Sequence, residues 1–311
     1  MRVAWCFPGQ GSQFVGMGRD VAEAFPAARE VFDRADHALG EKLSALCFEG
    51  PEDALTLTRN TQPAVVTTSL AMLAALRART SVPAPVSAAG HSLGEYSALV
   101  ATGALSLEDA VRIVRLRGEA MQEAVPAGAG AMAAVMGLSP EKLTAICEEA
   151  QQGDVVSPAN YNAPGQIVIA GHAAAVRRAS KLIAERQGKA IPLKVSAPFH
   201  CSLMAPAAQK LAAHLERVTI APLAFPVIAN VDAQPNQDPA RVKELLVRQV
   251  DHPVRWEETV RAMANAGVTH VLEIGPGKVL AGLVRRIAKE IEVISVGTVE
   301  SIEAASKLLA S

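Results

Sequence analysis

The sequence predicts an α/β protein with a parallel-sheet core, interrupted once by a smaller βαββαβ unit. Three observations carry that reading. Short, nearly continuous apolar runs alternate with longer stretches of helical periodicity, the pattern of strands buried under helices on both faces of a sheet. One such run, residues 86–89, leads directly into Gly90-His91-Ser92-Leu93-Gly94 and then into helix-compatible sequence. From the loose segment Pro126-Ala127-Gly128-Ala129-Gly130 to about residue 196, the expected elements follow in the order βαββαβ, the ferredoxin-like arrangement.

Taken in order, residues 3–7 read as the first buried strand, followed by the loop Pro8-Gly9-Gln10-Gly11-Ser12-Gln13. The spacing of Val21, Ala24, Ala28, Val31, Phe32, Ala35 and Leu39 predicts one helix over 20–39. A second is expected over 62–79, with Pro63 in its first turn, where a missing N–H loses nothing. Beyond the 86–89 strand, residues 95–101 continue as helix until Thr102-Gly103. Ser106-Leu107-Glu108-Asp109 has the form of a capping box and opens a helix to about 125. In the inserted unit, strands are expected over 131–138, 155–160, 166–170 and 189–195, and helices over 140–151 and 172–186. The core then resumes with helices over 201–216, 241–249, 257–266 and 276–288 and strands over 226–230, 268–274 and 292–296. The expected division is a large α/β domain of residues 1–126 and 197–311 and a small ferredoxin-like subdomain of residues 127–196.

Composition narrows the function classes. The chain has 311 residues, half of them apolar, enough to bury a full core. A formal net charge of -1 gives no general attraction to nucleic acid or anionic lipid, so neither is an expected partner. Cys6, Cys47, Cys147 and Cys201 are scattered, as reduced thiols of a cytoplasmic protein would be, and no Cys or His spacing suggests a metal. Residues 3–7 are too short for a signal sequence. The longest apolar stretch, 64–76, is broken by Thr67-Thr68-Ser69 and does not read as a membrane span.

The Gly-x-Ser-x-Gly pentapeptide in its strand-to-helix context is a nucleophile elbow, which makes the core hydrolase-like and Ser92 a candidate nucleophile. Such a serine needs a base, and histidine is the usual one. Of seven histidines, His37 and His214 read as solvated, His172 as a helix cap, and His91 as pointing away from the serine hydroxyl. His252 and His270 stay open. His200, in Ser196-Ala197-Pro198-Phe199-His200, sits where the inserted unit rejoins the core, and such boundaries favour ligand clefts.

Arg117 is the second signal. It falls on the apolar stripe of its helix with Ala110, Ile113, Val114 and Met121, and no carboxylate on that helix is placed to meet it. A buried guanidinium requires a partner, either elsewhere in the protein or a carboxylate gripped by its two-pronged fork. The competing reading is a snorkelling or structural arginine. The loop Gly9-Gln10-Gly11-Ser12-Gln13 is not a dinucleotide fingerprint, because Phe14 replaces the third glycine; its backbone N–H groups can instead face a developing oxyanion beside the N–H of Leu93.

Phe7-Pro8-Gly9-Gln10-Gly11-Ser12-Gln13, Gly90-His91-Ser92-Leu93-Gly94-Glu95-Tyr96, Arg117-Gly118, Asn160-Tyr161-Asn162, Pro198-Phe199-His200 and Gly275-Pro276-Gly277-Lys278 occur in an order and spacing that resembles the malonyl-CoA:acyl carrier protein transacylases over essentially the whole chain. The resemblance implies Ser92 as nucleophile, His200 as base held by the backbone carbonyl of Gln249, the N–H groups of Gln10 and Leu93 as the oxyanion hole, and Arg117 as the clamp for the malonyl carboxylate. Phe199, Met121, Asn160 and Asn162 would face the substrate. Ala-Pro-Phe-His and Leu93 stand where methylmalonyl-specific domains tend to carry Tyr-Ala-Ser-His and glutamine, so malonyl is the expected acyl group. The reaction implied is ping-pong transfer from malonyl-CoA to the phosphopantetheine thiol of an acyl carrier protein, supplying extender units for fatty acid biosynthesis. No bound cofactor is implied, and the protein is expected to be a monomer. Arg285, Arg286 and Lys289, or alternatively Arg177, Arg178 and Lys181, are the expected basic docking patch for an acidic carrier protein.

Two rival functions are weighed beside this one. An α/β-hydrolase esterase or thioesterase would use Ser92, Asp232 and His252 or His270, in the chain order of that fold; the missing His-Gly-Gly-Gly loop and the inward arginine count against it. A non-catalytic carrier-docking module would leave Ser92 and His200 with structural roles only.

Overall fold

Val3–Phe7 (β1) is buried at every position and lies inside a mixed α/β architecture; the computed structural model describes residues 1–195 and 197–310. After β1 come helices α1 (Arg19–Ala24), α2 (Pro26–Leu39), α3 (Leu43–Glu49), α4 (Glu52–Thr56) and α5 (Thr58–Arg79), then β2 (Ser87–Gly90), α6 (Gly94–Ala101) and α7 (Leu107–Glu123). The next stretch is β3 (Gly130–Met136), α8 (Pro140–Gln151), β4 (Val156–Ala163), β5 (Gln166–His172), α9 (Ala173–Glu185) and β6 (Lys189–Pro192). The chain continues through α10 (Ala205–Leu215), β7 (Val227–Ile228), β8 (Pro235–Asn236), α11 (Pro239–Asp251), α12 (Trp256–Asn265), β9 (His270–Ile274), α13 (Val279–Ile287), β10 (Glu292–Val296) and α14 (Val299–Ala310).

Among the described residues, the larger sheet has the order β10-β9-β1-β2-β7-β8, parallel except for the final β7–β8 pair. The smaller sheet has the order β4-β5-β3-β6 and is antiparallel throughout, with its own core of Val135, Leu143, Ile146, Ile169, Val176 and Ile183. β1 and β2 pair in a register that sets Phe7 beside Gly90. Their carboxyl ends therefore deliver the 8–13 loop and the serine turn to one edge, where open α/β sheets bind ligands. From the smaller sheet, β4 reaches the same edge: the Tyr161 N–H donates to the Val254 carbonyl at 2.9 Å, and the Val254 N–H to the Ala159 carbonyl at 2.9 Å.

Several sequence expectations are corrected. The helix over 20–39 is two helices, because Pro26 holds Phe25 extended at φ -126°, ψ 111°. The helix expected from 62 begins at Thr58, so Pro63 lies inside it and not in the first turn; burial of nearly its whole length outweighs the lost hydrogen bond. Helices α3, α4 and α14 and strand β8 went unpredicted, being short, terminal or weakly periodic. The helix over 201–216 opens as a 3-10 turn, Ser202–Met204, before α10. The strands over 189–195 and 226–230 are shorter, and the 276–288 helix starts at Val279 because Gly275 and Gly277 adopt positive φ. Ser196, the last residue of the expected small subdomain, lies outside the described residues.

The elbow depends on two glycines. A Cβ on Gly90 would sit 1.9 Å from the carbonyl carbon and oxygen of Gly94, and one on Gly94 would sit 2.3 Å from the Phe7 carbonyl oxygen. Both clashes are with backbone and cannot be relieved by a rotamer. Gly90→Ala is expected to destabilise the protein by about 3 kcal/mol or more, the range of strained core substitutions, and a urea midpoint unchanged from wild type would refute the close packing of the turn.

Candidate active site

Ser92 follows β2 with φ 52°, the left-handed region that a non-glycine residue enters only under constraint. Asn230 supplies that constraint. Its Oδ1 accepts the Ser92 N–H at 2.7 Å, its Nδ2 donates to the Gly90 carbonyl at 2.7 Å, and its own backbone N–H donates to Glu95 Oε2 at 2.9 Å. The turn is thus held from below by a fully buried asparagine that sequence reading missed. The available signal was a polar residue closing the apolar run at 226–230.

Ser92 Oγ lies 2.8 Å from His200 Nε2, and His200 Nδ1 lies 2.8 Å from the backbone carbonyl oxygen of Gln249. A carbonyl can only accept, so the proton resides on Nδ1 and Nε2 is left to take the serine proton. His200 itself has φ 59° and is buried. Burial, then the Arg117 charge, pushes its pKa down to about 3, so the imidazole is neutral and ready as a base at ordinary pH.

Arg117 is 1 % exposed, and its inward placement follows the predicted stripe on α7. One terminal nitrogen donates to Gln62 Oε1 at 2.8 Å; the other donates to Gln249 Oε1 at 3.0 Å and to Ser92 Oγ at 3.1 Å. Its guanidinium also lies 5.9 Å from the centre of the Tyr96 ring. Among the described residues no carboxylate forms an ion pair with it, and its Nε has no partner. A buried cation met only by amides, a hydroxyl and a ring retains capacity for an anionic ligand. Gln62 and the Gln249 side chain are further members that the sequence did not reveal, since buried glutamines carry no periodic signature.

These groups face a cavity of about 260 Å³. Gln10, Leu93, Met121, Phe199, Asn160 and Asn162 line it together with Ser92, Arg117 and His200, so every predicted substrate-facing residue is brought together there. Gln249 stands behind the wall. Among the described residues, neither the Gln10 nor the Leu93 backbone N–H has an acceptor in the protein, while the Gln10 side chain donates to Thr58 Oγ1 at 3.3 Å. Asn162 Oδ1 lies 2.8 Å from His91 Nε2, so His91 is turned toward the smaller sheet, and its ring packs against Trp256 at 5.6 Å.

The hydrolase-type triad is not assembled. Asp232 accepts from the Gln234 N–H and faces Arg241, His252 is half exposed and pairs with Asp251 at 2.6 Å, and His270 pairs with Glu292 at the amino end of β9, away from Ser92. His172 stands at the start of α9 but makes no capping bond; its Nδ1 instead accepts the N–H of Val155, just before β4, at 2.9 Å. The four cysteines are free and buried, and among the described residues no cluster of three potential metal ligands exists and no helix is long and apolar enough to cross a membrane.

A parallel-sheet α/β protein that presents a serine and a histidine at one strand edge, over a buried arginine, has the layout of the serine-dependent acyl-transfer enzymes. A model of the acyl transferase domain matches residues 4–305. The malonyl CoA-acyl carrier protein transacylase of Bacillus subtilis is 51 % identical over 99 % of this chain and 97 % of its own length. The acyl-carrier-protein S-malonyltransferase of Bartonella henselae superposes with a TM-score of 0.97 at 47 % identity, covering all of both chains. A malonyl-transacylase solved in complex with its type II PKS acyl-carrier protein superposes with a TM-score of 0.96 at 45 % identity, over 99 % of this chain and 100 % of that one. The chain belongs to the acyl transferase family, among the malonyl CoA-acyl carrier protein transacylases.

Proposed function

We propose that the protein transfers the malonyl group from malonyl-CoA to the phosphopantetheine thiol of an acyl carrier protein. The carrying observation is the line Ser92–His200–Gln249 carbonyl sharing one cavity with an arginine that has no carboxylate partner. Arg117 would grip the free carboxylate of the malonyl group and set its thioester carbonyl over Ser92. As the Ser92 Oγ bonds to that carbon, its proton passes to His200 Nε2, and the N–H groups of Gln10 and Leu93 meet the oxyanion. The carbon–sulfur bond then breaks and the coenzyme A sulfur takes the proton from His200. The carrier thiol reverses these steps on the malonyl-serine ester.

Phe199 and Met121, both buried against the cavity, favour malonyl over an α-methyl-branched group, which Phe199 would crowd. The order of the smaller sheet and its separate core support residues 127–196 as a ferredoxin-like subdomain walling the cleft against water. For carrier docking, the complex formed by a relative at 45 % identity supports an acyl carrier protein as partner. Arg285, Arg286 and Lys289 are exposed, and Arg286 bonds Gln166, itself a residue of the cavity wall; this supports that cluster as the docking patch over Arg178, which is tied to Asp154.

Intact mass after mixing with malonyl-CoA tests the reading. A stable malonyl adduct is expected; rapid release of malonate without one would favour the esterase, and no reaction a docking module. Arg117→Ala should cost malonyl transfer about 1.5–3 kcal/mol, the scale of a hydrogen bond to a charged group, and cost acetyl transfer little. Equal losses on malonyl-CoA and acetyl-CoA would make Arg117 structural.

A further inference from the structure

We propose that Glu95 is a positioning residue for acyl transfer: buried behind the elbow, its carboxylate fixes which way the Gln249 carboxamide faces, and through it the aim of Arg117. The inference rests on the malonyl-transfer reading above. Glu95 is 3 % exposed and does not line the cavity, so it cannot touch the substrate. Its Oε2 accepts from Gln249 Nε2 at 2.8 Å and from the Asn230 backbone N–H at 2.9 Å.

The Gln249 carboxamide stands between groups of opposite demand. Its Nε2 donates to Glu95 and, at 3.0 Å, to the Ser92 carbonyl, while its Oε1 accepts from Arg117 at 3.0 Å. Rotated by half a turn, the amide would set N–H donors against a guanidinium that has only donors, and an oxygen against two acceptors. The acceptor at position 95, the shortest of the bonds to the amide nitrogen, opposes that turn together with the Ser92 carbonyl and Arg117. The same residue's backbone carbonyl holds His200, so one glutamine links the base to the clamp, and Glu95 anchors it. Through Asn230, which bonds the Ser92 N–H, the same carboxylate oxygen also steadies the serine turn. A buried carboxylate is costly to desolvate, and burial raises the Glu95 pKa to about 7; what the group supplies is two directed acceptor bonds.

The test compares Glu95→Ala with Glu95→Gln in the full-length enzyme, following acylation by malonyl-CoA and by acetyl-CoA with intact mass. In Glu95→Ala the ratio of malonyl to acetyl kcat/KM should fall about fivefold or more, the scale of one lost hydrogen bond, because the amide nitrogen loses its shortest bond, keeps only the longer ones to the Ser92 carbonyl and Asn230 Oδ1, and holds Arg117 less firmly. Glu95→Gln keeps an oxygen able to accept both bonds, so its ratio should stay within about twofold of wild type. A merely structural residue would change the yield of folded enzyme and leave the ratio alone. An unchanged ratio in Glu95→Ala, or a ratio in Glu95→Gln as low as in Glu95→Ala, overturns the proposal. Should Glu95→Ala fail to fold, Gln249→Met removes the amide and retains the carbonyl under His200; it should show the same fall in ratio, and no fall would equally overturn it. Wild-type enzyme that forms no malonyl adduct would overturn the malonyl reading and this inference together, whereas the ratios in an enzyme that does acylate bear on Glu95 alone.

Discussion

Ser92→Ala is expected to abolish the malonyl adduct while leaving the fold intact. Only the Oγ is removed. The bonds that shape the turn are made by the Ser92 N–H and carbonyl, to Asn230 and Gln249, and an alanine retains both. The hydroxyl's contacts with His200 and Arg117 are lost, so stability should stay within about 3 kcal/mol of wild type, the scale of two net hydrogen bonds. Chemistry has no evident substitute: among the described residues, Ser92 is the one hydroxyl bonded to the His200 ring, and no cysteine bonds it. Intact mass with malonyl-CoA and a thermal melt check both halves. An adduct that persists on another residue would show that the elbow is not the site of acylation.

How far the site was legible follows from the kind of signal each residue carries. Ser92 announces itself because a turn with such close backbone contacts tolerates only glycine at 90 and 94, and that leaves a mark in sequence. Arg117 is legible because a charge on an apolar helical stripe violates periodicity. His200 was reached as a candidate base through its place at a chain junction, beside His252 and His270, and family resemblance chose it; the Gln249 carbonyl came from the resemblance alone, since any residue supplies a carbonyl. Glu95, Asn230, Gln62 and the Gln249 amide stayed hidden. They are short polar residues joined across separations of 19 to 157 positions, and nothing local in the chain records such bonds. In the fold, strongly periodic elements were read correctly in kind. Errors fell where tertiary burial outweighs local rules, as at Pro63 in α5, or where a proline splits a periodic run, as at Pro26.

The identity of the group that orients His200 separates a dyad from a triad. In a Ser-His-Asp triad, replacing the aspartate by asparagine leaves the histidine in the wrong tautomer and costs about 10⁴ in rate. Here the Nδ1–H donates to the Gln249 carbonyl at 2.8 Å, and a backbone carbonyl cannot be mutated away or turned into a donor. It also leaves the imidazole without a counter-charge, in keeping with a pKa pushed down to about 3 by burial and by the Arg117 charge. The two nearby aspartates are engaged elsewhere: Asp232 with Arg241 and the Gln234 N–H, and Asp251 with the exposed ring of His252. Asp232→Asn and Asp251→Asn should therefore each change the acylation rate by less than about tenfold, a loss of positioning at most. His200→Ala should lower it by about 10²–10⁴, the usual contribution of a general base, because no second imidazole contacts the Ser92 hydroxyl. Single-turnover acylation followed by quench and intact mass reads all three variants directly. A drop of three orders of magnitude in either asparagine variant, with its thermal melt unchanged, would restore the triad and remove the Gln249 carbonyl from the mechanism.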